Sequence, residues 1–260
     1  MFRISIITIC FNNPSELKST LRSVELQTIP PYELIIIDGS TNEEIKTYLS
    51  TVTLPGYCKW VSEPDKGISD AFNKGIMMST GDIIGILNSG DLLFDSHTLE
   101  IVNETFISNP GIAWCHGQLK IMRSNQWVII GKSFDPSKLY RGMRSVAHPT
   151  MYLKRFVYDK VGLFNLNIKI AMDYDLLCRI ASFNYIFIEK PLAIFDPDGI
   201  SSLNYIASIK ESYKIYRKYF GYNILQPIWY TRLYLLHKIL NTPIGKILYK
   251  LKSFLGLESW

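Results

Sequence analysis

Residues Ser62–Asp91 read SEPDKGISDAFNKGIMMSTGDIIGILNSGD. Ile68 to Ser79 has the period of a helix, Thr80-Gly81 turns the chain, and Asp82 to Leu87 is an apolar run of strand length. A strand apolar on both faces belongs inside a parallel sheet. It ends in Asn88-Ser89-Gly90-Asp91, which puts Asp91 on a loop at the carboxyl edge of that sheet. A carboxylate there can hold a divalent cation, and such a cation neutralises a diphosphate. The same four residues are also ordinary turn chemistry.

The pattern continues outward in both directions. Arg3 to Ile9 reads as a buried strand, and Leu17, Leu21, Val24 and Leu26 as one helix stripe stopped by Pro30-Pro31. Glu33 to Ile37 is the next strand, Glu43 to Ser50 a helix, and Tyr57 to Val61 a third strand. Strand and helix alternate through the first 95 residues, which predicts a parallel sheet with helices on both faces. Asn12, Asp38, Glu63, Asp65, Asn88 and Asp91 each follow a strand, where open α/β sheets bind ligands.

Beyond Ser96 the alternation changes. Leu99 to Phe106 reads as a helix, and Ala113 to Met122 and Trp127 to Lys132 as strands joined by the turn Arg123-Ser124-Asn125-Gln126. Ser133 to Val146 has no period and reads as a mobile loop. His148 to Leu153 reads as a strand, Arg155 to Val161 and Tyr174 to Ser182 as helices, and Tyr185 to Ile194 as a strand. The tail from Tyr205 is helical, with breaks near Gly221, Pro227 and Pro243.

Composition narrows the class. The chain has 260 residues, 47% of them hydrophobic and 20% charged, which excludes disorder and a disulfide-stapled miniprotein. Mean hydropathy is +0.08 and no run of 18 apolar residues occurs, so no spanning helix is expected. The apolar run of Met1 to Phe11 is too short for a signal peptide and no cleavage site follows it. Cys10, Cys58, Cys115 and Cys178 are far apart, which argues against zinc ribbons and for reduced, buried thiols in a cytosolic protein.

The net charge of +5 is unevenly spread. Tyr205 to Trp260 holds seven Lys and two Arg against two Glu, with eight of the sixteen Tyr. Basic residues among Tyr, Trp and Leu suit an anionic membrane surface. A nucleic-acid surface, a helical pair packed on the body, or a homodimer interface are the competing readings.

Several chemistries are excluded. No G-x-G-x-x-G follows the first strand, the P-loop glycine position before Gly131-Lys132-Ser133 is Gln126, and neither G-x-S-x-G nor H-E-x-x-H occurs.

Ile4 to Asn12, Ile35-Ile36-Ile37-Asp38-Gly39-Ser40-Thr41 and Ser62–Asp91 together resemble glycosyltransferase family 2. The likeness runs to about residue 202 through His148-Pro149, Gly162-x-Phe164-Asn165 and Asp173-Tyr174-Asp175-Leu176-Leu177-x-Arg179. It is nearest to bacterial enzymes that build exopolysaccharide or lipopolysaccharide on a lipid carrier. The resemblance implies an α/β GT-A fold: a Rossmann-like, mostly parallel central sheet flanked by helices, followed here by the basic helical tail. Residues 1–204 would form the nucleotide-sugar-binding and catalytic domain, and 205–260 the tail.

It further implies an inverting enzyme that moves a sugar from a nucleoside diphosphate, UDP favoured, to a hydroxyl of a lipid-linked saccharide. Thr8, Asn12, Asp38, Ser40, Asp65, Lys66, Asp70, Asn88 and Ser89 would border the nucleotide sugar, with Asn73 one turn after Asp70 facing the same cleft. Asp91 would bind Mn²⁺ or Mg²⁺, although the family usually has a second carboxylate where this chain has Gly90. Asp173 would be the catalytic base, capping its helix, with Asp175 the other candidate and Arg179 its partner. His148 and Ser201 would lie near the acceptor or the diphosphate, with Asp175 and Arg179 beside them. The expected location is cytoplasmic, on the inner face of the cell membrane, with no nucleic-acid partner. A catalytically impaired glycan- or nucleotide-binding module and a nucleotidyltransferase of similar fold remain as alternatives.

Overall fold

The computed structural model describes residues 1–123, 126–195, 204–240 and 242. The first half is the expected alternation: β1 (Ile4–Cys10), α1 (Pro14–Glu25), β2 (Glu33–Asp38), α2 (Glu44–Thr51), β3 (Cys58–Ser62), α3 (Ile68–Met78) and β4 (Ile83–Ile86). These strands lie parallel in the order β3-β2-β1-β4. Ile6 of β1 packs on one face of the sheet and Ile7 on the other, so both faces are core. On one face α3 lies close to β1: a β-carbon at Gly75 would stand 2.3 Å from Ile7 Cγ2, so only glycine fits there.

The second half makes the sheet mixed. It adds β5 (Leu92–Leu93), α4 (Thr98–Ser108), β6 (Trp114–Arg123), β7 (Gln126–Ile130), β8 (Tyr152–Lys154), α5 (Arg155–Val161), α6 (Met172–Ile180) and β9 (Tyr185–Phe195). The order continues β4-β8-β6-β9-β5, with β7 also on β6. The β4–β8, β6–β8, β6–β7 and β5–β9 pairs are antiparallel, whereas β6–β9 is parallel. The chain leaves β1 for β2 and β3, then returns to the other side of β1 as β4. A switch of this kind opens a crevice beyond the carboxyl ends of β1 and β4.

Four local expectations are corrected. His148–Thr150 is a 3-10 turn, not the start of a strand, because Pro149 has no N–H to give a ladder; pairing begins only at Tyr152. Ser133 to Val146 is not a loose loop: it holds a 3-10 helix over Pro136–Arg141 and buries Phe134, Leu139, Tyr140 and Val146 at irregular spacing. Pro227 does not break the tail, since it falls in the first turn of a helix, where its missing donor costs nothing. The two-residue β5 is too short to leave a periodic signal.

The tail forms α7 (Tyr205–Phe220) and α8 (Leu225–Leu240). Ile215 and Tyr216 of α7 join the main core, and Tyr230 and Leu233 of α8 are buried. Ile228, Leu235 and Ile239, on another face of α8, are 62%, 53% and 52% exposed. No described helix is long and apolar enough to cross a membrane. Pro243, Lys246, Lys250, Lys252 and Trp260 lie outside the described residues.

Candidate active site

The crevice beyond β1 and β4 is a cavity of about 570 Å³. Its wall includes Cys10, Phe11, Glu16, Asp65, Asn88, Ser89, Lys169 and Asp173. A second cavity of about 470 Å³ adjoins it. His148, Pro149, Ile170, Asp173 and Phe195 line both, so Asp173 stands where the two hollows meet.

Asp173 sits in the first turn of α6, whose cap residue is Ala171 rather than Asp173 as expected. The capping is done from another helix. The Glu211 carboxylate of α7 accepts from the backbone N–H groups of Lys169, Ile170 and Ala171 at 3.1, 2.9 and 3.0 Å. Burial pushes the Asp173 carboxyl up to about 6. Burial pulls His148 down to about 4, so its ring is neutral at pH 7; it packs 5.1 Å from Phe72.

The other expected residues divide into those on the wall and those behind it. Asp65, Asn88 and Ser89 are on the wall. Asp65 bends over Gly39, where a β-carbon would collide with its carboxylate, and it accepts from Gly67 N at 2.7 Å. Asn12 adopts φ 55 and ties the loops after β1 and β2 together. Its N–H donates to Ser40 Oγ at 2.8 Å, and its Oδ1 accepts from Thr41 N at 2.9 Å. Asp38 is fully buried, with Oδ1 accepting from Ser40 N at 3.0 Å and Oδ2 from Ser62 Oγ at 2.8 Å. Thr8 is buried within β1. Asp70 accepts from Lys66 N at 2.9 Å, outside the cavity.

Asn73 does not face the cleft. It exchanges hydrogen bonds with the Phe164 backbone at 2.9 and 2.8 Å, tying that loop to α3. Asp91 is 3% exposed and off the wall; Thr20 of α1 donates to its carbonyl at 2.8 Å and accepts from Gly90 N at 3.0 Å. Asp38, Asp91 and Asp173 therefore do not share one hollow. Asp175 and Arg179 pair with each other behind the site. Ser201, and the Asp198 to Ser201 loop, lie outside the described residues.

The structure brings forward residues the sequence did not single out. Glu16 is the third residue of α1, an unremarkable place for an acid, with Asn13 Oδ1 accepting from its N–H at 3.2 Å. Yet its Oε2 lies 3.6 Å from where a β-carbon of Gly90 would stand. The carboxylate missing from the loop is thus replaced in space by one from α1. Asn88 Oδ1 and Ser89 Oγ, both buried, have no hydrogen-bond partner among the described residues. Such an all-oxygen set fits a hard divalent cation. It is a thin set: no group of three or more His, Cys, Asp or Glu placed for a metal exists among the described residues.

Comparison with known proteins accords with this layout. The sequence profile described as Glycosyl transferase family 2 matches residues 5–162. An uncharacterized glycosyltransferase of Mycobacterium tuberculosis is 29% identical over 204 residues, covering 76% of this chain and 77% of its own. A PGL/p-HBAD biosynthesis glycosyltransferase of Mycobacterium bovis is 27% identical over 184 residues, 69% of each chain. Among solved structures, the mannosyltransferase PcManGT of Pyrobaculum calidifontis, in complex with GDP-Man and Mn²⁺, superposes with a TM-score of 0.64 at 15% identity, covering 99% of this chain and 81% of its own. TarS 1-349 of S. aureus, in complex with UDP-GlcNAc, gives 0.63 at 15% identity over 93% of this chain and 67% of its own. Both likenesses speak to the fold, which is GT-A, and by the profile match the chain belongs to glycosyl transferase family 2.

Proposed function

We propose that the protein is an inverting glycosyltransferase that moves a sugar from a nucleoside diphosphate to a hydroxyl of a lipid-linked saccharide. The observation that carries this reading is the position of Asp173, on the wall common to both cavities, with its carboxyl raised to about 6. The donor occupies the crevice beyond β1 and β4, against Asp65, Asn88 and Ser89. Asn12, Asp38 and Ser40 act by shaping the loops beneath it. UDP-sugars are favoured, in keeping with the UDP-GlcNAc bound by TarS.

In the displacement, the acceptor oxygen bonds to the anomeric carbon while the bond from that carbon to the diphosphate oxygen breaks. The acceptor's proton passes to the Asp173 carboxylate, and the nucleoside diphosphate leaves with the electron pair. At pH 7 Asp173 is largely ionised yet basic enough to take that proton. Neutral His148 on the same wall places no positive charge beside it. A divalent cation, Mn²⁺ or Mg²⁺, would be held by Glu16, Asn88 and Asp91 and would neutralise charge on the leaving diphosphate.

A membrane site of action, on the inner face, is supported by the outward apolar face of α8, a helix with no acidic residue. The experiment is a panel of UDP- and GDP-sugars with Mn²⁺, followed by thermal shift and by nucleoside diphosphate release. At least one donor is expected to bind and to be turned over in an Asp173-dependent way. Binding without turnover in the presence of lipid-linked acceptors would favour the impaired binding module. No binding of any nucleotide sugar would overturn the reading.

A further inference from the structure

The second cavity has a composition of its own. Arg123, Arg141 and Arg144 line it, together with apolar side chains such as Ile121, Met143 and Leu233. Asp173, at its mouth toward the donor side, is the only carboxylate among its described lining residues. Arg141 and Arg144 lie over the Trp229 indole of α8, with guanidinium carbons 5.2 and 5.6 Å from the ring centroid. Trp229 Nε1 also donates to the Arg141 carbonyl at 3.1 Å. Among the described residues neither arginine pairs with a carboxylate. Two preoriented guanidiniums without a protein anion make a receptor for an external one, and their planar donor sets match phosphate oxygens.

The cavity is also continuous with the outer surface of the tail. Tyr230 and Leu233 of α8 face into it, while Ile228, Leu235 and Ile239 of the same helix face outward and are more than half exposed. A ligand that is anionic at one end and apolar along its length would satisfy both surfaces at once. A charged sugar would satisfy the arginines and leave the apolar wall and outer stripe without a partner.

We propose that the second cavity binds the phosphate of a lipid-phosphate-linked acceptor through Arg141 and Arg144, with the lipid leaving along α8. This rests on the transferase reading above and names its acceptor class. Seating the phosphate on these arginines fixes the distance from the lipid to the reacting hydroxyl at Asp173. The two arginines are then residues that set acceptor specificity.

The test uses the full chain with saturating UDP and Mn²⁺, so that the donor cavity is filled. It is titrated with farnesyl diphosphate, farnesol and inorganic pyrophosphate. Farnesyl diphosphate is expected to bind at least about tenfold more tightly than either other probe, and Arg144→Gln and Arg141→Gln are each expected to weaken it by about tenfold. UDP affinity stays the same in both variants. Arg144 is exposed, so its variant tests the idea even if Arg141→Gln fails to fold. Equal affinity in wild type and Arg144→Gln, or farnesol binding as tightly as its diphosphate, overturns the proposal. Pyrophosphate binding as tightly as the lipid reduces it to a free-phosphate site and also overturns it. UDP binding without farnesyl diphosphate binding defeats this inference alone, whereas failure of all nucleotides and nucleotide sugars to bind defeats the transferase reading.

Discussion

Asp175 and Arg179 form a buried ion pair one helical turn apart, with Arg179 Nε donating to Asp175 Oδ2 at 2.9 Å. Arg179 Nη1 also donates to the carbonyls of Val161 and Gly162 at the end of α5, and Tyr219 of α7 donates to Asp175 Oδ1 at 2.8 Å. The pair thus joins three helices and uses both carboxylate oxygens. Removing one partner strands a buried charge, which costs about 3–5 kcal/mol. Asp175→Ala is expected to lower the unfolding free energy by that amount in a denaturant titration, and Tyr219→Phe by about 1 kcal/mol. A change under 1 kcal/mol in Asp175→Ala would mean that the pair is not the clamp described.

Asp173 predicts the opposite trade. Its carboxyl is raised from 3.8 to about 6 by burial, so between those values the folded chain holds a proton that the unfolded chain has lost. Its stabilising contribution is present below pH 3.8 and is lost as pH rises through 6. At pH 7 the ionised group is therefore a liability. Asp173→Asn is expected to raise stability by about 1–2 kcal/mol, less than the full shift because the carboxylate opens on a water-accessible cavity. The same variant is expected to reduce turnover by about a hundredfold or more with nucleotide affinity unchanged. In the wild type, turnover should fall as pH drops below about 6. Full activity in Asp173→Asn would remove it as the base.

The strands of the first half were legible because a buried parallel strand writes itself as a continuous apolar run: every residue of β2 is buried. α5, Arg155–Val161, matches the expected helix end to end. Side-chain direction was less legible. Asp38 does end a strand at the ligand edge, but its carboxylate turns back to Ser40 and Ser62 instead of the cavity. Glu16, Glu211, Arg141 and Arg144 gave no local signal, because each acts on residues brought near only by tertiary structure. Glu16 meets Gly90 because β4 lies beside β1; Glu211 meets Ile170 because α7 folds back on α6.

Glu16 should matter only when metal is present. Its carboxylate stands in for the one that Gly90 lacks, and Gly90, at φ 97, could not carry a side chain without strain. Glu16→Gln and Asp91→Asn are each expected to weaken UDP binding in Mn²⁺ by about tenfold and to leave metal-free UDP binding alone. Titration calorimetry with and without Mn²⁺ separates the two conditions. Loss of affinity in both conditions would mark Glu16 as a helix-capping residue whose removal disturbs α1.

His116 supplies an acid-labile element far from the chemistry. It is fully buried in β6, stacked 5.4 Å from Trp114 and 5.1 Å from Phe187, and burial pulls it from 6.5 to about 4. Between those values the unfolded chain binds a proton that the folded chain refuses, so stability falls as pH drops below about 6.5 and continues to fall to about 4. His148 acts in the same direction and Asp173 in the opposite one, so the wild-type profile alone does not isolate His116. His116→Phe keeps a ring in the stack and removes the titration. Relative to wild type, its stability should gain about 2 kcal/mol on going from pH 7 to pH 5. Parallel stability curves for the two proteins across that interval would show that His116 is not held neutral by the fold.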